Sequence, residues 1–268
     1  MLKDITLGQY FPGNSIAHKL DPRTKILLVT LYIIALFSAK GWMGYAVMAV
    51  TLAACVKVSH VGLRALVRGL KPLVFIIAFT GILNMFFTPD THYLWEWGIL
   101  RVSVKGIENA LFMVIRIMLL VMGTFLMTYT TSPIRLTDGL ESLLNPLKKI
   151  HVPVHELAMM MAIALRFIPT LIEETDKIMS AQKARGADFD SGNIFQKAKA
   201  LVPILVPLFI SAFRRADELA TAMECRCYHG GEGRTKLHAL HYAGRDYTAY
   251  CLGALMLAGV IVLRRFGL

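Results

Sequence analysis

Two arginines occupy matched positions in two segments of the chain that resemble each other. In both segments an aspartate, an aliphatic residue, a hydroxyl residue and an alanine precede the arginine at the same distances. A small residue flanks each arginine on both sides, giving the tripeptides Ala184-Arg185-Gly186 and Cys225-Arg226-Cys227. An unobstructed guanidinium offers a planar fork of donors that suits a carboxylate. The repeat therefore predicts that these six residues dock against two similar partners.

A simpler interpretation of either arginine is that it offsets the negative end of a helix dipole. That role does not require the same ten residues twice, so the repeat favours docking. No residue pattern predicts catalysis, because the chain lacks a nucleotide-binding Gly-x-x-x-x-Gly-Lys-Ser/Thr loop and the usual hydrolase and metalloprotease motifs. Cys225 and Cys227 could supply half of a metal site, but no His or Cys pair completes it. We expect no metal or cofactor in this chain.

The composition predicts a membrane protein built from helices. Of the 268 residues, 56% are hydrophobic, and the mean hydropathy is +0.55, which is too apolar for an ordinary soluble domain. A membrane-spanning helix needs about 20 apolar residues. Five candidates approach that length, and the first is short: residues 26–39, 42–58, 70–87, 107–129 and 247–263. We therefore expect an all-α polytopic fold with about five transmembrane helices.

The net charge of +11 could suggest a nucleic-acid partner, but the distribution of the basic residues excludes this interpretation. With the N-terminus in the cytoplasm, most Lys and Arg fall in cytoplasmic segments, as the positive-inside rule requires. Tyr93, Trp95 and Trp97 then lie in an outer loop, where an aromatic belt is typical. Within the fourth span, Arg116 lies too far from Glu108 to pair on one helix, so we expect its partner on another helix.

Residues 131–246 are apolar in places but do not read as spans. Arg166 and Pro169 interrupt one apolar stretch, and Pro203 and Pro207 interrupt another. We expect instead three long helices at the inner membrane face, over residues 134–150, 155–186 and 194–228. If these stretches crossed the membrane, the two arginines would lie on opposite sides. The predicted organisation is a membrane part (1–130), a coupling-helix region (131–246) and a last span (247–268).

The order of motifs along the chain resembles one family of membrane proteins. The N-terminal part reads Gly8-Gln9-Tyr10-Phe11-Pro12-Gly13-Asn14-Ser15, followed by His18-Lys19-Leu20-Asp21-Pro22-Arg23-Thr24-Lys25. Together with the two arginine tripeptides, this pattern resembles the transmembrane T component of energy-coupling factor (ECF) transporters. The second tripeptide departs from the family's usual Ala-Arg-Gly, since cysteines replace the alanine and the glycine. Asp21 and Pro22 also have a local interpretation as an N-cap and a first helical residue.

The resemblance implies a non-catalytic scaffold in the plasma membrane of a prokaryote. In such transporters the T component joins two cytoplasmic ABC-type ATPases, which bind ATP and Mg²⁺, to one or several S components that capture a vitamin or another micronutrient. The arginines would seat in the ATPases. The S component would contact an apolar seat on the coupling helices, comprising Met159, Met160, Met161, Pro203, Leu205 and Pro207.

Two other functions are compatible with parts of the pattern. A permease subunit of a conventional ABC importer would also dock ATPases, but through one coupling loop containing Glu-Ala-Ala, which the chain lacks. A membrane-embedded enzyme would need clustered Asp or His residues at the membrane face. Here the acidic residues are scattered along helices. The methionines also have a simpler interpretation, as packing residues.

Overall fold

The computed structural model describes residues 10–88, 93–97, 100–187, 189, 193–231 and 239–266. Gly8 and Gln9 of the N-terminal motif lie outside these residues. The described chain is mainly helical, which confirms the all-α prediction. Its helices are α1 (Ile16–Lys19), α2 (Pro22–Ser38), α3 (Gly41–Ser59), α4 (Leu63–Leu70), α5 (Val74–Phe87), α6 (Val104–Thr130), α7 (Pro133–Leu144), α8 (Val154–Ala184), α9 (Ile194–Glu224) and α10 (Gly244–Arg265), with single 3₁₀ segments at Lys71–Leu73 and Asn145–Ile150.

A two-stranded antiparallel hairpin stands where the sequence predicted only an outer loop. It pairs β1 (Tyr93–Trp97) with β2 (Leu100–Ser103), and Glu96 lies opposite Arg101. The buried Ser103 then begins α6, because its Oγ accepts a hydrogen bond from the Gly106 N–H at 2.9 Å.

The helices group into two compact units. One comprises the described residues up to Ser142 together with those from Leu240 onward, and the other comprises Leu143–Ala239. The first unit continues beyond the predicted boundary at residue 130 because α7 packs on the start of α2. A Cβ at Gly139 would lie 3.0 Å from the Cβ of Pro22, so a larger residue there would push the two helices slightly apart.

The core of the first unit is formed by apolar residues from five helices. Leu36, Met48 and Leu66 are fully buried, on α2, α3 and α4. Leu119 of α6 and Val260 of α10 join the same cluster. Most other apolar side chains of these helices are exposed or half-buried, as expected of a protein whose surface faces lipid rather than water.

Five helical segments of the described chain have the length and apolarity to cross a membrane: Gly41–Ser59, Leu63–Phe87, Val104–Thr130, Val154–Ala184 and Gly244–Arg265. Four of them contain predicted spans. The first predicted span forms α2, whose 17 residues are fewer than the roughly 20 that a perpendicular crossing needs. The fifth segment is α8, which the sequence predicted to lie at the membrane face.

Arg116 has the interhelical partner that the sequence predicted. Its Nε donates a hydrogen bond to the Tyr45 hydroxyl of α3 at 2.9 Å. Its guanidinium also lies 5.7 Å from the ring centroids of Tyr45 and Phe37. This polar contact joins α3 to α6, while Glu108 is exposed.

Candidate docking site

Helix α8 ends in a capping motif that contains Arg185. The Gly186 N–H donates to the Lys183 carbonyl at 3.0 Å, and the Ala187 N–H donates to the Gln182 carbonyl at 3.0 Å. Gly186 adopts φ +87°. These two bonds around a left-handed residue are the Schellman arrangement. The arginine therefore stands at the C-cap position, where the chain leaves α8.

Arg226 ends α9 with the same arrangement. The Cys227 N–H donates to the Glu224 carbonyl at 2.8 Å, and the Tyr228 N–H donates to the Met223 carbonyl at 3.0 Å. Cys227 takes the left-handed position with φ +57°. Cys227, which replaces the glycine of the usual tripeptide, thus has the left-handed backbone conformation that favours glycine.

The repeat extends into the preceding helical turns. The Ser180 hydroxyl donates to the Asp176 carbonyl at 2.7 Å, and the Thr221 hydroxyl donates to the Asp217 carbonyl at 2.9 Å. Asp, hydroxyl and arginine thus keep the same local geometry in both copies. The sequence match is therefore also a structural match between two helix ends.

All six predicted docking residues are exposed: Ala184, Arg185, Gly186, Cys225, Arg226 and Cys227. Neither guanidinium takes part in a hydrogen bond or an ion pair within the described residues. The small neighbours leave both forks of donors open. Each arginine can therefore receive a carboxylate from outside the chain.

Polar contacts between α8 and α9 show the relative direction of the two helices. The Ser211 hydroxyl donates to Glu174 Oε1. Arg215 pairs with Glu174 Oε2, with Nη2 at 3.2 Å and Nε at 3.3 Å. Farther along α8, the Gln182 amide donates to the Pro203 carbonyl at 3.4 Å. Higher numbers on α8 thus meet lower numbers on α9, so the two helices are antiparallel.

The antiparallel arrangement places the two arginines at opposite ends of the pair. Arg185 lies 11 residues beyond Glu174, and Arg226 lies 11 residues beyond Arg215. At about 1.5 Å per helical residue, the two tips are separated by roughly 35 Å along the pair. One small partner surface cannot contact both.

Pro207 has a definite role in this helix contact. A proline has no N–H, so it cannot bond to the carbonyl four residues earlier, which here belongs to Pro203. The Gln182 side chain from α8 supplies that missing hydrogen bond. The proline interruption of α9 therefore creates an acceptor that holds α8 in register.

The predicted apolar seat is largely exposed. Met160 and Met161 on α8 are 58% and 46% exposed, and Leu205 on α9 is 45% exposed. Met159 and Pro207 are half-buried, and Pro203 is exposed. The antiparallel pair does not bring the two groups together. Met160 lies 14 residues before Glu174, while Leu205 lies 10 residues before Arg215 on the other side of this ion pair, so the two are roughly 35 Å apart along the pair. Around Leu205, large apolar residues of α9 form two adjacent rows at four-residue spacing: Leu201, Leu205, Phe209 and Phe213, and beside them Val202, Val206 and Ile210.

Comparison with known proteins identifies the family. The family model CbiQ, described as cobalt transport protein, matches residues 13–237. The chain is 52% identical to the energy-coupling factor transporter transmembrane protein EcfT of Ruminiclostridium cellulolyticum, with 98% of each chain covered. The EcfT protein of Bacillus subtilis is 46% identical over 99% of this chain and 100% of its own length. EcfT of Clostridium kluyveri is 55% identical, with 99% and 98% covered.

The chain belongs to the ECF transporter T-component family. It is therefore a multi-pass membrane protein of bacteria and a subunit of a multi-component transporter. The predicted resemblance is confirmed. Its relatives are named as transmembrane components of transporters, which supports the prediction of a non-catalytic subunit. Among the described residues, no group of three or more His, Cys, Asp or Glu could hold a metal ion.

The N-terminal motif of this T component forms a buried polar cluster. Asp21 caps α2 by accepting from the Arg23 N–H at 2.9 Å and pairs with the Arg23 side chain at 3.0 Å. Arg23 also donates to the Leu240 carbonyl at 2.8 Å and covers the Tyr242 ring at 4.3 Å. The cap and the first-turn Pro22 confirm the local interpretation. The motif therefore joins the start of α2 to the segment before α10.

Sequence reasoning missed the partner that completes this cluster. Asp246, only 1% exposed, accepts from the Asp21 N–H at 2.9 Å and from the Ala243 N–H at 2.8 Å. Asp246 lies 225 residues from Asp21. The one available signal was an aspartate in the first turn of a helix, where it satisfies N–H groups.

Proposed function

We propose that this T component couples ATP hydrolysis by two cytoplasmic ABC-type ATPases to nutrient uptake through a separate substrate-binding S component. The observation that carries the proposal is the matched pair of helix ends. Two exposed arginines, neither paired with another described residue, stand at caps with the same hydrogen-bond pattern at opposite ends of one antiparallel helix pair. ATP and Mg²⁺ would be bound by the ATPases, while this chain would transmit force.

The docking step assigns one arginine to each ATPase. Arg185 and Arg226 lie roughly 35 Å apart along the pair, which suits two globular subunits side by side under the membrane. Since the caps have the same local geometry, the two receiving grooves should resemble each other and contain a carboxylate. This requirement is met by two homologous or identical ATPases.

The same helix pair supplies the proposed seat for the S component. It consists of two separate exposed patches, the two apolar rows on α9 and, roughly 35 Å away along the pair, Met160 and Met161 of α8. Methionine side chains adapt to different partners because they are unbranched and polarizable. One seat could therefore receive one or several S components. Closure of the ATPases would move the arginine tips, and the helices would pass that movement to the seat.

The orientation follows from the requirement that both tips reach the cytoplasm. The pair must lie along the inner membrane face, with the N-terminus of the chain also cytoplasmic. An upright pair would place the tips on opposite sides, because their separation exceeds the roughly 30 Å thickness of the hydrocarbon core. Arg166, Glu173 and Asp176 on α8 also favour an interfacial position.

The direct test of docking replaces the arginines one at a time and together. Arg185→Ala or Arg226→Ala should each weaken ATPase association by about 2–5 kcal/mol, the usual cost of truncating one member of a desolvated charge pair. The double variant should lose coupled transport. Arg→Lys should restore binding only partly, since lysine lacks the planar fork. The measurement is co-purification of both ATPases with the tagged chain from membranes.

Arg214→Ala provides the matched control, because Arg214 is an exposed arginine on α9 that does not belong to a cap. It should leave ATPase recovery unchanged. Wild-type recovery of both ATPases with the double alanine variant would contradict the docking assignment.

A further inference from the structure

A groove on the first unit combines an apolar floor with a row of cations. It has a volume of about 890 Å³ and lies between α4, the 3₁₀ turn Lys71–Leu73, α5 and α6. Val74 and Ile77 of α5 face Val114 and Met118 of α6 across it. None of these helices belongs to the proposed docking pair. The groove is therefore distinct from the proposed docking sites.

Three cations line this groove, namely Arg64, Arg68 and Lys71. Their spacing of four and then three residues places them on one side of the α4 segment. All three are exposed, and none takes part in a hydrogen bond or ion pair within the described residues. The chain contains no Asp or Glu between Asp21 and Asp90. The cations thus have no nearby acidic residue in sequence with which to pair.

The position of α4 indicates that the three cations lie near a membrane surface. The segment Leu63–Phe87, which contains α4 and α5, is long and apolar enough to cross a membrane, and so is α6. The cations lie at the beginning of this segment, and the apolar floor continues along α5 and α6. Charged groups would thus meet the headgroup layer while the floor meets hydrocarbon.

We propose that the groove between α4, α5 and α6 is a binding site for an anionic phospholipid. The phosphate would lie on Arg64, Arg68 and Lys71, and an acyl chain would follow the apolar floor. An acidic peptide fits less well, because its backbone N–H and C=O groups would find no partners along that floor. The proposal goes beyond the scaffold function and does not depend on the arginine tips.

The test uses the full chain purified with its transporter partners. Native mass spectrometry would count phosphatidylglycerol and phosphatidylcholine retained after exposure to equal mixtures of the two lipids. The wild-type complex should retain phosphatidylglycerol preferentially. Neutralising Arg64, Arg68 and Lys71 together to Gln should weaken phosphatidylglycerol retention roughly 100-fold, because each basic residue near an anionic surface contributes about 1 kcal/mol and every 1.4 kcal/mol is a tenfold change in affinity.

Two further variants make the result specific. The control neutralises Lys40, Arg264 and Arg265, which are exposed and lie outside the groove, and it should retain the lipid. Ala78→Trp should fill the apolar floor and reduce retention with every cation in place, which also tests the site if the triple variant does not fold. Equal retention of both lipids by the wild type, or unchanged retention in the triple and Trp variants, would overturn the proposal. So would loss of the ATPases from the triple variant with the lipid still bound.

Discussion

At the scale of single residues, the two arginine tips differ in one respect that has an energetic consequence. Gly186 and Cys227 occupy the same left-handed cap position, at φ +87° and +57°. A side chain in this region costs roughly 1–2 kcal/mol. The second cap is therefore intrinsically weaker than the first.

This difference predicts opposite effects of two substitutions. Gly186→Ala should loosen the first cap by about 1 kcal/mol, and because no atom lies within 4 Å of the added Cβ, the cause would be backbone strain alone. Cys227→Gly should tighten the second cap by a similar amount. Hydrogen exchange of peptides covering each helix end would measure both. Faster exchange at the second tip after Cys227→Gly would contradict the cap assignment.

Asp246 offers a second test at this scale. Asp246→Ala would leave the buried N–H of Asp21 without its acceptor and remove the Ala243 contact, at a cost of about 1–3 kcal/mol for each group. We expect a lower thermal midpoint for the purified protein in detergent. Glu108→Ala, at an exposed acidic residue of the same unit, is the control and should change little. An unchanged midpoint for Asp246→Ala would mean that these hydrogen bonds contribute nothing to stability.

The sequence could predict much of the candidate site but not its architecture. The tripeptides identified both arginines, because a repeat is visible in the chain itself. The cap geometry depends on backbone bonds that any residue can make, so only Gly186 gave a local sign of it. Contacts between distant residues, such as Glu174 with Ser211 and Asp21 with Asp246, depend on how helices meet. Motif spacing and hydrophobic periodicity do not report which helices meet.

At the scale of secondary-structure elements, prediction succeeded where the pattern was long. The three helices predicted between residues 131 and 246 agree within a few residues with α7 plus the 3₁₀ segment that follows it, α8 and α9. The β-hairpin at Tyr93–Ser103 was missed, because its aromatic residues were interpreted as a membrane-interface belt. The start of α2 was placed too late, since the apolar run begins after the charged residues that its first turn contains.

The apolar rows of α9 carry the prediction that belongs to this scale. Leu205→Glu or Met160→Glu should prevent S-component association while both ATPases remain bound, because a charge on a buried apolar seat has no partner. Ala216→Glu places the same charge at an exposed position of α9 outside the rows and should leave both partners bound. The measurement is a pull-down that scores the S component and the ATPases separately. Retention of the S component by both seat variants would contradict the assignment.

At the scale of the whole molecule, the central question is the orientation of the α8–α9 pair in the membrane. Length and composition would allow α8 to cross a bilayer. We propose instead that the pair lies along the cytoplasmic face, because antiparallel helices that stood upright would separate Arg185 from Arg226 by the whole membrane. The function of two matched docking tips therefore depends on this orientation.

Single-cysteine labelling tests this claim most directly. In a background without Cys55, Cys225, Cys227 and Cys251, Ala187→Cys and His229→Cys would report the two tips, and Trp95→Cys would report the β-hairpin. A membrane-impermeant thiol reagent applied to intact cells and to inside-out vesicles distinguishes the two sides. Our account predicts that both tip cysteines react only from the cytoplasmic side and that residue 95 reacts only from outside. Labelling of residues 187 and 229 from opposite sides would show that the pair crosses the membrane and would contradict the account.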